Sequence, residues 1–471
     1  MKVLSRFAVA ATFIALLSIC AIAQVGPGVA RSPREQYEER ERKLTADVAR
    51  RPKDAKLYND LGVAQFYLGK MGAAESSFTR SIQLDANTAD ARANLSFLYF
   101  QTGRQEAAVE LLKEALIIDP NNFLANYYSG LLYFSRQQPT RAEIFLKKAL
   151  SIQPGNLDAR LDLIKIQAAQ KQTAEAEREL DRLATELPGD ARVRYARASF
   201  YASQGRTTDA VSEYKTVLAI APDSPSVKLE MAVVYLRARD FYGAIGMLEE
   251  FHKSGASVES AYMMGYALSE LGRLEAAESW LSKAIEGREN YFDARLQLGR
   301  LYYTKRKYED AKRHLTRAVE LNGDAIEARY LLGFCLELTN QLDAALAQYS
   351  EIIRLAPNRF EGHHGAGSVK YKQGDNRAAL ASLFRAAQLN GRDADVQYQL
   401  GRALGRAGNN SGAIDHLQQS VALEPNRADA RYQLALALRK AGRNEEAAEQ
   451  MKIVDKLNTE FRNRTSGMDK Q

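Results

Sequence analysis

The chain has 471 residues, and its 65 Lys and Arg against 58 Asp and Glu leave a net charge of +7. That balance describes a mixed, salt-laced surface, and the lack of any long run of basic residues excludes the concentrated cationic patch of a nucleic-acid binder. Only 11 prolines interrupt a sequence crowded with Ala, Leu, Arg, Glu and Gln, and the Val/Ile/Thr alternation that strands need is missing, so the composition is that of an all-α protein.

In chain order the first element, residues 1–23, reads as an export signal. Lys2 and Arg6 precede an apolar stretch from Phe7 to Ile19, and Ala21-Ile22-Ala23 offers a small-x-small cleavage site before Gln24. Two alternatives stay open: an N-terminal membrane anchor if the stretch is retained uncleaved, and lipidation at Cys20, where the bulky Ile19 departs from the usual small residue. All three place the chain outside the cytoplasm, in a periplasm or secreted, with the membrane reached only through this segment. Residues 24–32, with Gly26, Pro27 and Gly28, read as a linker. Residues 33–54 hold a charged helix whose Tyr37, Leu44 and Val48 share a face and are expected to cap the helices beyond residue 54.

From residue 55 onward a unit repeats. Ala74, Ala108, Ala142, Ala176, Ala210 and Ala244 lie 34 residues apart; after one 33-residue step the series resumes at Ala277, Ala311, Ala345, Ala379, Ala413 and Ala447. An alanine in such register marks a crossing of two helices too close for a larger side chain. Leu61-Gly62, Met264-Gly265, Leu298-Gly299, Leu332-Gly333 and Leu400-Gly401 keep the same beat, and four residues after each alanine stands a large apolar residue such as Phe78, Leu281 or Tyr349. Between the two helices of a unit sits Gly69, Gly103, Gly205, Gly272, Gly374, Gly408 or Gly442, able to take the left-handed conformation that ends a helix. Prolines such as Pro120, Pro154 and Pro357 close the units.

These residues resemble the tetratricopeptide repeat (TPR) family, and the likeness runs from 55 to about 461. The resemblance implies an all-α, right-handed α-solenoid of about twelve helical hairpins, repeats one to six over 55–257 and seven to twelve over 258–461; residues 462–471, by composition, read as a polar, disordered tail. In place of the family's Trp at the fourth position stands Arg92, Arg160, Arg194, Arg295, Arg329 or Arg431. Of these, Arg431 is expected to pack between helices.

No chemistry of catalysis emerges. His252, His314, His363, His364 and His416 have no metal-binding spacing, Cys335 falls on a packed helix as a small buried hydrophobe, and no glycine-rich phosphate cradle exists; no enzyme activity, metal or cofactor is expected. The resemblance instead implies a concave groove lined by the first (A) helix of each hairpin, at places two, five, nine, twelve and thirteen. Reading those places off gives Phe97, Phe100, Tyr127, Phe134 and Tyr195 in the first half and Arg300, Tyr303, Tyr330, Lys372, Tyr398, Arg402, Arg406, Tyr432 and Arg439 in the second. Arg402 and Arg406, four apart, are expected to project together into solvent. Acids at the second place (Glu327, Glu361, Asp395, Asp429) can neutralise the groove cations. The function expected is a scaffold or adaptor for a protein or peptide partner; the alternative is an accessory protein of a polysaccharide pathway whose basic aromatic groove meets an anionic glycan.

Overall fold

The computed structural model describes residues 33–468. The export signal, its anchor and lipidation alternatives and the linker all lie outside the described residues. Twenty-five helices and no strand occur among those described, and they fall into two compact units that divide after Ser254. Pro33–Arg50 comes first and lays Tyr37, Leu44 and Val48 against Leu57, Leu61 and Ala64 of the first hairpin. Six hairpins follow, from Ala55–Tyr67 with Met71–Leu84 to Pro225–Arg237 with Phe241–His252. The second unit holds six more, from Val258–Glu270 with Leu274–Gly287 to Ala428–Lys440 with Asn444–Met468. Each unit is an α-solenoid of such hairpins. The last helix corrects the expectation of a disordered tail from 462: good helix formers with no Pro or Gly between 444 and 466 carry it to Met468.

Local chemistry sets each boundary. Asp54, Asn122, Asn156, Asp190 and Asp393 start A helices by accepting a backbone N–H of the first turn in their side chains, and Ser257 with Ser260 forms a reciprocal box. Each A helix ends two residues before a position with φ between 57° and 89°, or one before it at Gly374, and this position reverses the chain into the second (B) helix. Seven repeats put glycine there. The other five force Gln137, Lys171, Arg239, Arg306 and Asn340 into the same left-handed region, at a cost that glycine does not bear. Lys171→Gly is therefore expected to stabilise its hairpin by about 1 kcal/mol, readable as a higher melting temperature; a lower one would show that the turn is not the strained element.

The hairpin core follows from the repeat. Eleven of the twelve register alanines are fully buried and Ala447 nearly so. A Cβ on Gly62 would stand 2.6 Å from the Phe78 ring, and one on Gly299 would stand 2.5 Å from Leu315. The glycine at the eighth place is thus where the A helix receives the large side chain four residues past the alanine. The tyrosine or leucine there fills the space the missing Cβ leaves.

Candidate functional site

A helices are the inner elements of each unit. Through the first five repeats of the first unit and all six of the second, each A helix touches the A helix of the next repeat, and consecutive B helices make no contact of comparable extent. Elements on the inside of a curved stack are the ones brought together, so the A-helix faces form the concave side within each unit.

In the first unit that face carries a continuous row of rings. Tyr37 stacks on Tyr67 at 4.6 Å between centroids, Phe66 lies 5.5 Å from Phe97, and Phe97 stacks on Tyr128 at 4.5 Å and tilts towards Phe100. Tyr127 stacks on Phe123 at 5.7 Å and donates its hydroxyl to Asp162 at 2.7 Å. Phe134 is exposed by 37%. Tyr195 differs from its reading as a groove residue: it is buried, and its hydroxyl is taken by the Glu230 carboxylate, which also accepts from Tyr214 at 2.6 Å. Burial pushes the Glu230 carboxyl up. That carboxylate was missed because a glutamate at the sixth place of an A helix reads as a surface residue.

The second unit gathers the cations, and it pairs them unevenly. Arg300 meets Glu327 at 3.8 Å with both side chains half exposed, and Lys372 meets the buried Glu337 at 3.0 Å. Glu337 also accepts from Ser368 at 2.6 Å and Tyr349 at 3.3 Å, so three groups converge on it. Of the acids expected to neutralise the groove, only Glu327 does so: Asp395 and Asp429 pair with Arg427, which caps the start of the last A helix, at 2.6 and 2.9 Å, and Glu361 pairs with Arg359. Tyr303 meets Phe334 edge-on at 5.7 Å, and Tyr330 lies 6.0 Å from Tyr349. Tyr432 is exposed by 43%, and Arg439 is exposed.

Arg402 and Arg406 do not project into solvent together. The guanidinium of Arg402 sits 4.9 Å from the Tyr371 centroid and 5.2 Å from that of the buried Tyr398, and Arg406 sits 5.0 Å from Tyr371. Attraction between a cation and the negative face of an aromatic ring holds Arg402 half-buried. Arg406 remains exposed and donates to the Tyr371 carbonyl at 3.0 Å.

The fourth-place residues have a structural task. Arg194, Arg329 and Arg431 each reach back six residues to a loop carbonyl, of Pro188, Gly323 and Pro425, and forward to a B-helix side chain, Glu213, Gln348 or Gln450. Asn126, His363 and Gln397 make the same backward bond. Arg431 thus ties two helices and a loop, in line with its expected place between helices. His364, beside His363 in the chain, is buried, and neither ring nitrogen has a hydrogen-bond partner among the described residues. Burial depresses its pKa, and likewise those of His416 and of His314, the last to about 4. Cys335 is buried and its thiol is pushed up to about 11 by burial, which leaves it unreactive. No cluster of metal-ligating side chains occurs among the described residues, and no helix among them is long and apolar enough to cross a membrane.

Models of the tetratricopeptide repeat match residues 55–88, 133–200, 191–224, 258–291, 296–360 and 398–456, and a model described as TPR repeat matches 98–137. The chain belongs to the tetratricopeptide repeat family. Its repeats mark it as a protein-interaction scaffold in general. No curated protein matches it. Among solved structures it is similar to the APC/C hetero-tetramer Cut9-Hcn1, with 16% identity, 90% of each chain covered and a TM-score of 0.49. It is also similar to two structures of MamA, at 22% and 21% identity, covering 35% and 36% of this chain and 97% and 94% of those, each with a TM-score of 0.31.

Proposed function

We propose that the chain is a non-enzymatic adaptor that holds a peptide or protein partner along the A-helix faces of its repeats. The observation that carries this reading is the row of rings in the first unit. Phe66, Phe97 and Phe100 are half-buried beside the exposed Tyr67 and Phe134, on the inner side of the stack. Rigid aromatic surface of this kind contributes to binding with little loss of side-chain freedom. The leader at residues 1–23 supports a site of action outside the cytoplasm, with a mature chain beginning at Gln24.

The test is capture from envelope extract by the chain from Gln24 onward. Phe100→Ala with Phe134→Asp alters the A-helix face, whereas Ile117→Asp with Ile144→Asp alters B helices, where those isoleucines are exposed by 81% and 62%. The expected result is a partner lost with the first pair and kept with the second. Loss with the B-helix pair alone would place the partner on the other side.

A further inference from the structure

We propose that the A-helix face of repeats ten to twelve recognises an acidic peptide segment, whose carboxylates are taken by Arg402, Arg406, Arg439 and Lys440. This rests on the adaptor reading and names the chemistry of its partner. Cations at the starts of these A helices are already neutralised: Arg359 by Glu361, and Arg427 by Asp395, Glu424 and Asp429. Towards the ends of the A helices of repeats eleven and twelve the picture reverses, whereas Lys372 at the end of the repeat-ten A helix stays paired with Glu337. Arg402, Arg406, Arg439 and Lys440 take part in no ion pair with a described residue. Four unpaired cations on the ends of two neighbouring helices form a surface that only an anion complements.

The stacking selects the kind of anion. A guanidinium lying on a ring keeps its N–H edge available, and that edge matches a carboxylate with two parallel hydrogen bonds. Stacking on Tyr371 also holds Arg402 and Arg406 in place beforehand, which lowers the ordering cost of binding. A sugar acid, its carboxylate fixed on a rigid ring, gains most where a bare aromatic face also meets its C–H groups. Tyr371 and Tyr398 each already carry two guanidinium groups within 5.2 Å of the ring centroid: Arg402 and Arg406 on the first, Arg402 and Arg427 on the second. Carboxylates on flexible peptide side chains can reach the guanidinium edges without displacing them.

The buried imidazole of His364 supplies an independent sign that this face is incomplete. In repeats one, three and five, the polar residue at the fifth place bonds to the residue 35 positions on: Asn59 with Asn94 at 2.9 Å, Tyr127 with Asp162 at 2.7 Å, and Tyr195 with Glu230. The counterpart for His364 is Gln399, whose amide oxygen instead accepts from Arg402 at 3.3 Å. His364 is left with two unsatisfied nitrogens, a costly state for a buried group. A ligand carboxylate on Arg402 would leave the Gln399 amide free to turn towards His364. Binding at Arg402 and satisfaction of the imidazole are then linked, and His364 acts as a positioning residue.

The experiment measures fluorescence anisotropy of a labelled oligoglutamate peptide, its oligoglutamine analogue and an oligouronate of equal charge, with the full chain from Gln24. The expected result is binding of the glutamate peptide that falls at least about tenfold for the glutamine analogue, and that weakens steeply from roughly 50 to 200 mM salt. Arg402→Glu with Arg406→Glu, and separately the more exposed pair Arg439→Glu with Lys440→Glu, should each reduce affinity at least about tenfold. Arg377→Glu, exposed on the B helix Asn376–Leu389 of repeat ten, should leave it within about twofold. His364→Phe should weaken binding severalfold without lowering the melting temperature at neutral pH, since it removes two unsatisfied nitrogens, whereas a merely structural histidine would lose stability first. Unchanged affinity in both double reversals would overturn the proposal, as would equal binding of the uronate. If the envelope partner is still lost with the Phe100/Phe134 pair while the glutamate peptide fails to bind, the adaptor reading stands and the acidic specificity falls.

Discussion

Gly365→Ala should cost about 1–3 kcal/mol and lower the melting temperature of the second unit. The ring of Tyr349 is fully buried and fills the space left by two missing side chains. A Cβ on Gly333 would stand 2.8 Å from Cε1 of the ring, and one on Gly365, in the next repeat, would press on the ring more closely still. The ring cannot swing away, because its hydroxyl donates to Glu337 at 3.3 Å and Tyr330 packs beside it. The neighbouring repeats put Leu315 and Leu383 at the same place, so Tyr349→Leu in the Gly365→Ala background should recover part of the loss. Gly246, whose added Cβ would meet nothing within 4 Å, is the control: Ala there should be neutral or stabilising. Equal melting of Gly365→Ala and the parent would show that the two repeats are not locked through Tyr349.

The two units should respond to acid differently. In the second unit burial depresses His314, His364 and His416. A depressed histidine contributes stability that is present above its unfolded value of about 6.5 and lost as pH falls through the folded value, which for His314 is about 4. Glu230 in the first unit is shifted the other way: raised by burial, its contribution is fully present below about 4.3 and lost as pH rises through the folded value. Lowering pH from about 7.5 to about 5.5 should therefore reduce the melting temperature of a fragment 255–471 and spare a fragment 33–254. His314→Phe with His364→Phe should flatten the first response, and Glu230→Gln should stabilise the other fragment most at high pH. Below about 4.5 both fragments should lose stability, since paired carboxylates such as Glu75 and Glu278 are held below their usual range by Arg104 and Lys305. Parallel falls in the two fragments between the first two pH values would contradict this assignment.

Most of the fold could be read from the chain because each packing requirement recurs with the repeat. A close crossing demands a small residue every time, so Ala345 and Gly333 declare themselves by register with Ala311 and Gly299. The groove residues were placed by the same register, which gives the face of a helix and says nothing of what a side chain meets there. Register put Arg402 on the groove-facing places of its helix, yet its ring partners come from Tyr371 on another helix and Tyr398 one turn back, and only the folded geometry brings them together. Tyr195 failed as a groove residue for a similar reason: Glu230, 35 positions on, draws it inward. The fourth-place arginines read as departures from a family Trp, while in the structure they bridge loop and B helix. Glu337 and His364 fall on the twelfth and fifth places of the groove register, and nothing local marks a buried acid or a buried imidazole there.

The central claim is that a partner is held on the A-helix faces, and photocrosslinking from single positions tests it most directly. A photoreactive residue replacing Phe134 on an A helix should yield a protein adduct in envelope extract, as should one replacing the exposed Tyr432; one replacing Ile144, on a B helix and more exposed than either, should yield none. Adducts from Ile144 with none from Phe134 or Tyr432 would contradict the claim.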